Sequence, residues 1–183
     1  MTIGLDGRLV LIGAGKMGGA MLDGWLNEGL AAASLVAIDP APTSEVRALA
    51  GTRGLLLNPD VSGLGDAQVV VLAVKPQIFE AAMSGLGALK QAKSLVISIV
   101  AGKTIAALER HFGRDAAVIR AMPNTPAAVG RGITAFVANR NVNKSQLALA
   151  IGLLSAVGEV VTVASEEQID TVTAVSGSGP AYV

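Results

Sequence analysis

The chain alternates short, unbroken apolar runs with longer stretches in which apolar residues recur every three or four positions. The runs read as strands buried on both faces, and the periodic stretches as amphipathic helices. In order, strands are predicted at 8–13, 34–39, weakly at 54–57, then at 67–74, 94–100, 116–122, 132–138 and 159–164. Helices are predicted at 16–29, 43–51, about 77–90, 104–112 and 143–158, and a last one opens at Ser165. Several carry their own punctuation. Thr43 or Ser44 suits an N-cap with Gly51 as the stop, Thr104 and Asn143 suit N-caps, and Gly29 and Gly158 suit helix ends. Strand and helix in alternation imply βαβ units and a mostly parallel sheet with helices on both faces.

Composition narrows this picture without changing it. Of 183 residues, 51% are hydrophobic and only 15% charged, against a usual charged share of about a quarter. A packed core is therefore available and disorder is excluded. Fourteen basic and fourteen acidic residues cancel, leaving no electrostatic footprint for nucleic acid. Cysteine is absent, so disulfides and thiolate ligands are excluded. No apolar run reaches a membrane span. The opening "MTIGLDGRLVLIGAG" carries an acid and early glycines where a signal peptide would carry a basic run. The expectation is a cytoplasmic α/β protein.

Chemistry concentrates at the ends of the predicted strands. Gly13, Gly15 and Gly18 follow the first strand in G-x-G-x-x-G spacing and open a helix, the context that gives this pattern meaning. Such glycines allow a tight turn, a close approach to a pyrophosphate and a helix packed on a strand. Lys16 is followed by Met17, so a P-loop is excluded. Asp39 ends the second strand, where an acid can accept bonds from an adenosine ribose; its other reading is a simple strand terminus before Pro40. The only arginine in the next eight positions, Arg47, sits well into the predicted helix rather than where a 2′-phosphate would want it, which leans the site toward NAD(H). Lys75 before Pro76, and Ala101 with Gly102, mark two more strand ends on the same sheet edge. Asn124, in the corner "MPNTPAAVGRG", serves equally as turn chemistry or substrate contact. His111, the lone histidine, sits where a helix C-terminus favours a partial positive charge. No carboxylate pair, metal-spaced cluster or nucleophilic triad emerges.

Five segments, "IGAGKMGGAM", "LAVKPQ", "SIVAG", "RAMPNTPAAVGRG" and "VTAVSGSGPAY", in this order and spacing, closely resemble the pyrroline-5-carboxylate reductases. The resemblance covers nearly the whole chain. It implies a Rossmann-type domain over residues 1–164, with 165–183 a linking helix and the first turn of a truncated helical domain for dimerisation and substrate binding. It implies hydride transfer from NADPH or NADH to the imine of 1-pyrroline-5-carboxylate, giving L-proline, in a homo-oligomer. By the same resemblance, Ile12, Gly13, Ala14, Gly15, Lys16, Met17 and Gly18 form the pyrophosphate loop, and Asp39 meets the adenosine ribose or its 2′-phosphate. Ala73, Val74, Lys75 and Pro76 form a second cofactor loop, and Ile99, Val100 and Ala101 the loop near the nicotinamide ribose. Asn58 or Asp60 approaches the adenine side. Asn124, Ser176, Gly177 and Ser178 are candidates for the substrate cleft. No catalytic residue is assigned, because the substrate-binding threonine of that family has its place beyond Val183. The alternatives are a non-catalytic dinucleotide-binding module, or a related dehydrogenase acting on β-hydroxyacids or a deazaflavin.

Overall fold

A computed structural model describes residues 3–64, 67–90 and 93–174. Eight strands form one sheet: β1 (Arg8–Ile12), β2 (Leu35–Ile38), β3 (Leu56–Leu57), β4 (Ala67–Leu72), β5 (Leu95–Ser98), β6 (Ala117–Met122), β7 (Gly132–Ala138) and β8 (Gly158–Thr162). Helices α1 (Lys16–Asn27), α2 (Ser44–Arg53), α3 (Phe79–Ser84), α4 (Ile105–Phe112), α5 (Lys144–Ser155) and α6 (Glu166–Val172) connect or follow them. Their order across the sheet is β3-β2-β1-β4-β5-β6-β7-β8. β3 to β6 are mutually parallel, β7 runs antiparallel to β6, and β8 is parallel to β7. This is the Rossmann-type arrangement expected. The reversal at β7 has a simple cause: the connection from Met122 to Gly132 is shorter than the dozen or so residues a parallel crossover needs.

Both sheet faces are covered, which is why the central strands read as unbroken apolar runs. Leu9, Leu11, Val69, Val71, Ile97 and Ile119 face one core with Trp25, Leu153 and Leu154. Val10, Ile12, Val70, Leu72, Val96 and Val118 face the other, with Phe79, Met83 and Leu108. The Trp25 indole fixes α1 to α5 by donating to the Leu153 carbonyl at 2.8 Å. Strand order reverses between β2-β1 and β4, and there the carboxyl ends of the strands open a crevice.

Three boundaries differ from the sequence reading. α2 runs through Gly51 and stops at Gly54, which takes the left-handed conformation and bonds back to Ala50. The stretch after Pro76 is a 3₁₀ turn, the short α3, and a second 3₁₀ turn from Gly87, because glycines at 85 and 87 interrupt the helical period. α5 ends at Ser155, and Gly158 belongs to β8. Gly158 is required there by packing: a Cβ would lie 2.0 Å from the Gly132 carbonyl oxygen of its paired strand.

Candidate functional site

The first loop of the crevice is fixed by backbone. Gly13 turns the chain out of β1 at φ +93°, its amide donating to the Ile38 carbonyl at 2.8 Å. Any side chain there would strike the Ala73 carbonyl oxygen, 2.7 Å from the Cβ position. Gly18 is buried in the first turn of α1, where a Cβ would stand 2.2 Å from the Gly13 carbonyl oxygen. Gly15 is different. It is exposed, it is the N-cap of α1, and nothing lies within 4 Å of its Cβ position. The first intrahelical bond is Gly19 to Gly15, at 2.7 Å. The amides of Lys16, Met17 and Gly18 therefore point out of the helix end without intrahelical acceptors. Open space, free amides and the positive end of the helix dipole together fit a pyrophosphate.

Asp39 follows directly on β2 and reaches this loop. Its Oδ2 accepts from the Ala14 amide at 2.6 Å and its Oδ1 from the Ala41 amide at 2.8 Å. The backbone of Asp39 is held in turn by Asn58. The Asn58 Oδ1 accepts from the Asp39 amide and its Nδ2 donates to the Asp39 carbonyl, each at 2.8 Å. Asn58 adopts φ +51°, the one positive φ of a non-glycine residue among those described. Of the two residues expected near the adenine side, Asn58 thus braces Asp39. Asp60 caps the 3₁₀ turn Val61–Gly63 by accepting from the Ser62 amide at 3.0 Å. The Ser62 hydroxyl, and after it that amide bond, hold the Asp60 carboxyl below its ordinary range.

The second and third loops align beside the first through bonds between adjacent strand ends. Ala73 donates to Ile12 at 2.8 Å, and Ile99 to Leu72 at 2.9 Å. Ile12, Gly13, Asp39 and Val74 line one apolar cleft of about 390 Å³, closed by Ile38, Pro40, Ile78, Ala81, Ala82, Gly85 and Leu86. The sequence reading missed this wall. Its signal was present as a stripe of small and apolar residues at 78, 81, 82 and 85, at helical spacing just after Pro76. A flat heteroaromatic ring fits such a cleft. Lys16, Lys75 and Pro76 are exposed at the rim, while Val100 is buried beneath the third loop and Ala101 is half-buried.

The remaining candidates fall elsewhere. Asn124 Oδ1 accepts from the Ile133 amide at 2.9 Å and so closes the β6–β7 corner. That corner stands beside the first loop, where Ala128 shares a groove with Gly15, Lys16 and Gly19. Ser176, Gly177 and Ser178 lie outside the described residues, as does the "SGSGPAY" stretch. His111 lies edge-on to the Phe79 ring and 3.3 Å from the Glu80 carboxylate, which Lys103 also meets at 3.3 Å. These contacts tie α4 to α3 behind the crevice.

Residues 8–102 match the family model described as NADP oxidoreductase, coenzyme F420-dependent. The chain is 40% identical over 176 residues to a pyrroline-5-carboxylate reductase of Pseudomonas aeruginosa, covering 96% of this chain and 64% of that protein. It is 41% identical to the corresponding protein of Synechocystis, with 96% and 65% covered. A solved pyrroline-5-carboxylate reductase from Coxiella burnetii superposes with a TM-score of 0.87 at 35% identity, covering 96% of this chain and 66% of that one. The Plasmodium falciparum pyrroline carboxylate reductase, solved with NADP bound, gives 0.81 at 28%, with 98% and 66% covered. The chain thus spans a little under two thirds of the length of these curated relatives. A prephenate dehydrogenase of A. aeolicus, at 15% identity and a TM-score of 0.70, shares the fold alone.

Proposed function

The chain belongs to the family described as NADP oxidoreductase, coenzyme F420-dependent, with pyrroline-5-carboxylate reductases as its relatives over 96% of its length, and from that footing we propose that it is the dinucleotide-binding part of an enzyme reducing 1-pyrroline-5-carboxylate to L-proline. The observation that carries the reading is the open first turn of α1. Gly15 leaves room where a pyrophosphate would lie, with Gly13 and Gly18 locking the loop beneath it.

In this reading the residues divide their work along the crevice. The amides of residues 16–18 hold the pyrophosphate. Asp39 takes the adenosine ribose, and the cleft formed by Pro40, Val74, Ile78 and Ala82 takes the adenine. Ala73, Lys75, Pro76 and residues 99–101 support the other end. The reduced nicotinamide supplies a hydride when bound, and the protein's part is to hold the imine ring at about 3–3.5 Å and in line. Asn124, Ser176, Gly177 and Ser178 remain the substrate-side candidates. Asp39 keeps a carboxylate where a 2′-phosphate would sit, so NADH is the tighter ligand of the pair NADH and NADPH. Residues 1–164 form the dinucleotide domain and 165–183 the link to the helical part, with the complete enzyme a homo-oligomer in the cytoplasm. That location is supported by the absence of cysteine and by the described residues, where no helix is long and apolar enough to cross a membrane.

The test is oxidation of NADH or NADPH in the presence of 1-pyrroline-5-carboxylate, by this chain and by the chain extended past Val183. The extended chain is expected to turn over. If it binds dinucleotide yet leaves the imine unreduced, the enzyme reading fails and a binding module is left. Turnover with a deazaflavin instead would support the chemistry named by the family model.

A further inference from the structure

β6 is buried along its whole length, yet its fourth residue is an arginine, Arg120, 1% exposed. A guanidinium stays charged in a protein interior and has to be paired there. Its partners come from α6. Nη1 donates to Glu166 Oε1 at 3.1 Å and Nη2 to an Asp170 oxygen, the two acids standing one turn apart on one helix face. Nε has no hydrogen-bond partner among the described residues, so neither acid is redundant. Ile169, fully buried beside them, packs with Met122 and Ala135.

The same Glu166 Oε1 has a second task. It accepts from the Ile105 amide at 2.9 Å, the first amide of α4, while the Thr104 side chain caps Ala107 instead. A carboxylate at a helix N-terminus is favoured by the dipole. Ala101, at the other end of the loop leading into α4, packs on the cluster around Ile169. Residues 99–104 are therefore anchored on β4 at Ile99, which donates to Leu72, and on α6 where they enter α4, and α6 is held by Arg120.

We propose that Arg120 is a positioning residue for the nicotinamide end of the dinucleotide: through Glu166 it fixes α6 and the 99–104 loop in one arrangement. The inference rests on the dinucleotide reading. With Asp39 at the ribose on the β2 side and the pyrophosphate at α1, the rest of the ligand runs out over β4 and β5, where this loop stands. Disturbing the Arg120 cluster then loosens one end of the ligand and leaves the other in place.

The experiment uses the whole 183-residue chain and the variants Glu166→Ala, Glu166→Gln and Arg120→Met. Amide hydrogen exchange is followed at residues 99–105 and at 13–18, and dissociation constants are measured by calorimetry for NADH against ADP-ribose and NADPH against 2′-phospho-ADP-ribose. In Glu166→Ala, exchange at 99–105 is expected to rise about tenfold with 13–18 unchanged. NADH should weaken by about tenfold and ADP-ribose by less than about twofold. Glu166→Gln keeps an acceptor oxygen and should restore most of both. A merely structural role would instead weaken both ligands alike. Unchanged exchange at 99–105, or equal losses for NADH and ADP-ribose, overturns the proposal. Should Arg120→Met fail to fold, Glu166→Ala carries the test, since its side chain is 28% exposed. If the unmodified chain binds neither NADH nor ADP-ribose, the dinucleotide reading itself falls and takes the proposal with it.

Discussion

Adding one methyl group at Gly18 separates packing from ligand binding when set beside the same change at Gly15. At Gly18 the new Cβ would stand 2.2 Å from the Gly13 carbonyl oxygen, 3.2 Å from its carbon and 3.3 Å from Leu11 Cδ2. For the oxygen, ordinary contact lies more than about 1 Å further out. Gly13 cannot retreat, because its amide is bonded to Ile38 at 2.8 Å and Ala73 stands behind it. Nor can α1 slide freely. Trp25 is fully buried and bonded to Leu153, and Gly24 lies so close to Ala156 that a Cβ there would be 2.6 Å from its oxygen.

The strain therefore stays at the loop, and Gly18→Ala should cost about 1–3 kcal/mol, in the range for overpacking a well-filled site. For a chain of this size that lowers Tm by roughly 2–4 °C for each kcal/mol. Gly15→Ala meets nothing within 4 Å and needs no left-handed φ, so its stability should stay within about 1 kcal/mol of the parent. Both should weaken NADH by at least about tenfold, one by moving the amides and the other by filling their space. Thermal melts and calorimetric titration decide the matter. If Gly15→Ala bound NADH as tightly as the parent chain, the pyrophosphate would not lie where it has been placed.

Other substitutions probe the neighbouring elements. Asp39→Ser removes the carboxylate proposed to meet the ribose and should shift the NADH-to-NADPH preference by about tenfold toward NADPH; an unchanged ratio in paired titrations would free Asp39 of that role. Asn58→Gly loses the two bonds to Asp39 at a cost of about 1–2 kcal/mol, and Asn58→Ala adds about 1–2 kcal/mol for φ +51°, so urea melts should rank alanine below glycine. Glu45, in the first turn of α2, is held below the ordinary glutamate range chiefly by a backbone N–H, then by the Thr43 and Ser44 hydroxyls. A depressed native value means a contribution present above the unfolded carboxylate range and lost as pH falls through the native one. Glu45→Gln should therefore be slightly less stable at neutral pH, with its melting curve converging on the parent's in acid.

How much of this was legible depends on the distance over which each feature is encoded. Strand runs and helix caps are local, so Thr43, Thr104 and Asn143 sit where the sequence placed them. The first loop is also local, since spacing and flanking pattern suffice. The stretch after Pro76 misled because Phe79, Met83, Leu86 and Leu89 keep a near-helical period while glycines break the helix between them. Asn58 braces Asp39 from 19 positions away, and Arg120 meets its acids 46 and 50 positions on. No periodicity records such pairs. A lone arginine inside an otherwise apolar strand did hold a clue, because a charge buried there demands a partner.

The three loops of the crevice are joined by main-chain bonds, Gly13 to Ile38, Ala73 to Ile12 and Ile99 to Leu72, each between adjacent strand ends. Their places are thus set by sheet register and by the glycines, hardly at all by loop side chains. Exposed positions such as Lys16 and Lys75 can vary without moving the crevice, and changes there should be felt in binding alone. Beyond Ile99 this support between strand ends stops: Ala101 packs on the cluster of Met122, Ala135 and Ile169, and the Ile105 amide donates to Glu166 of α6. At the β2 and β1 side the sheet alone places the loops, whereas at the β5 side the start of α4 also takes an acceptor from a helix later in the chain.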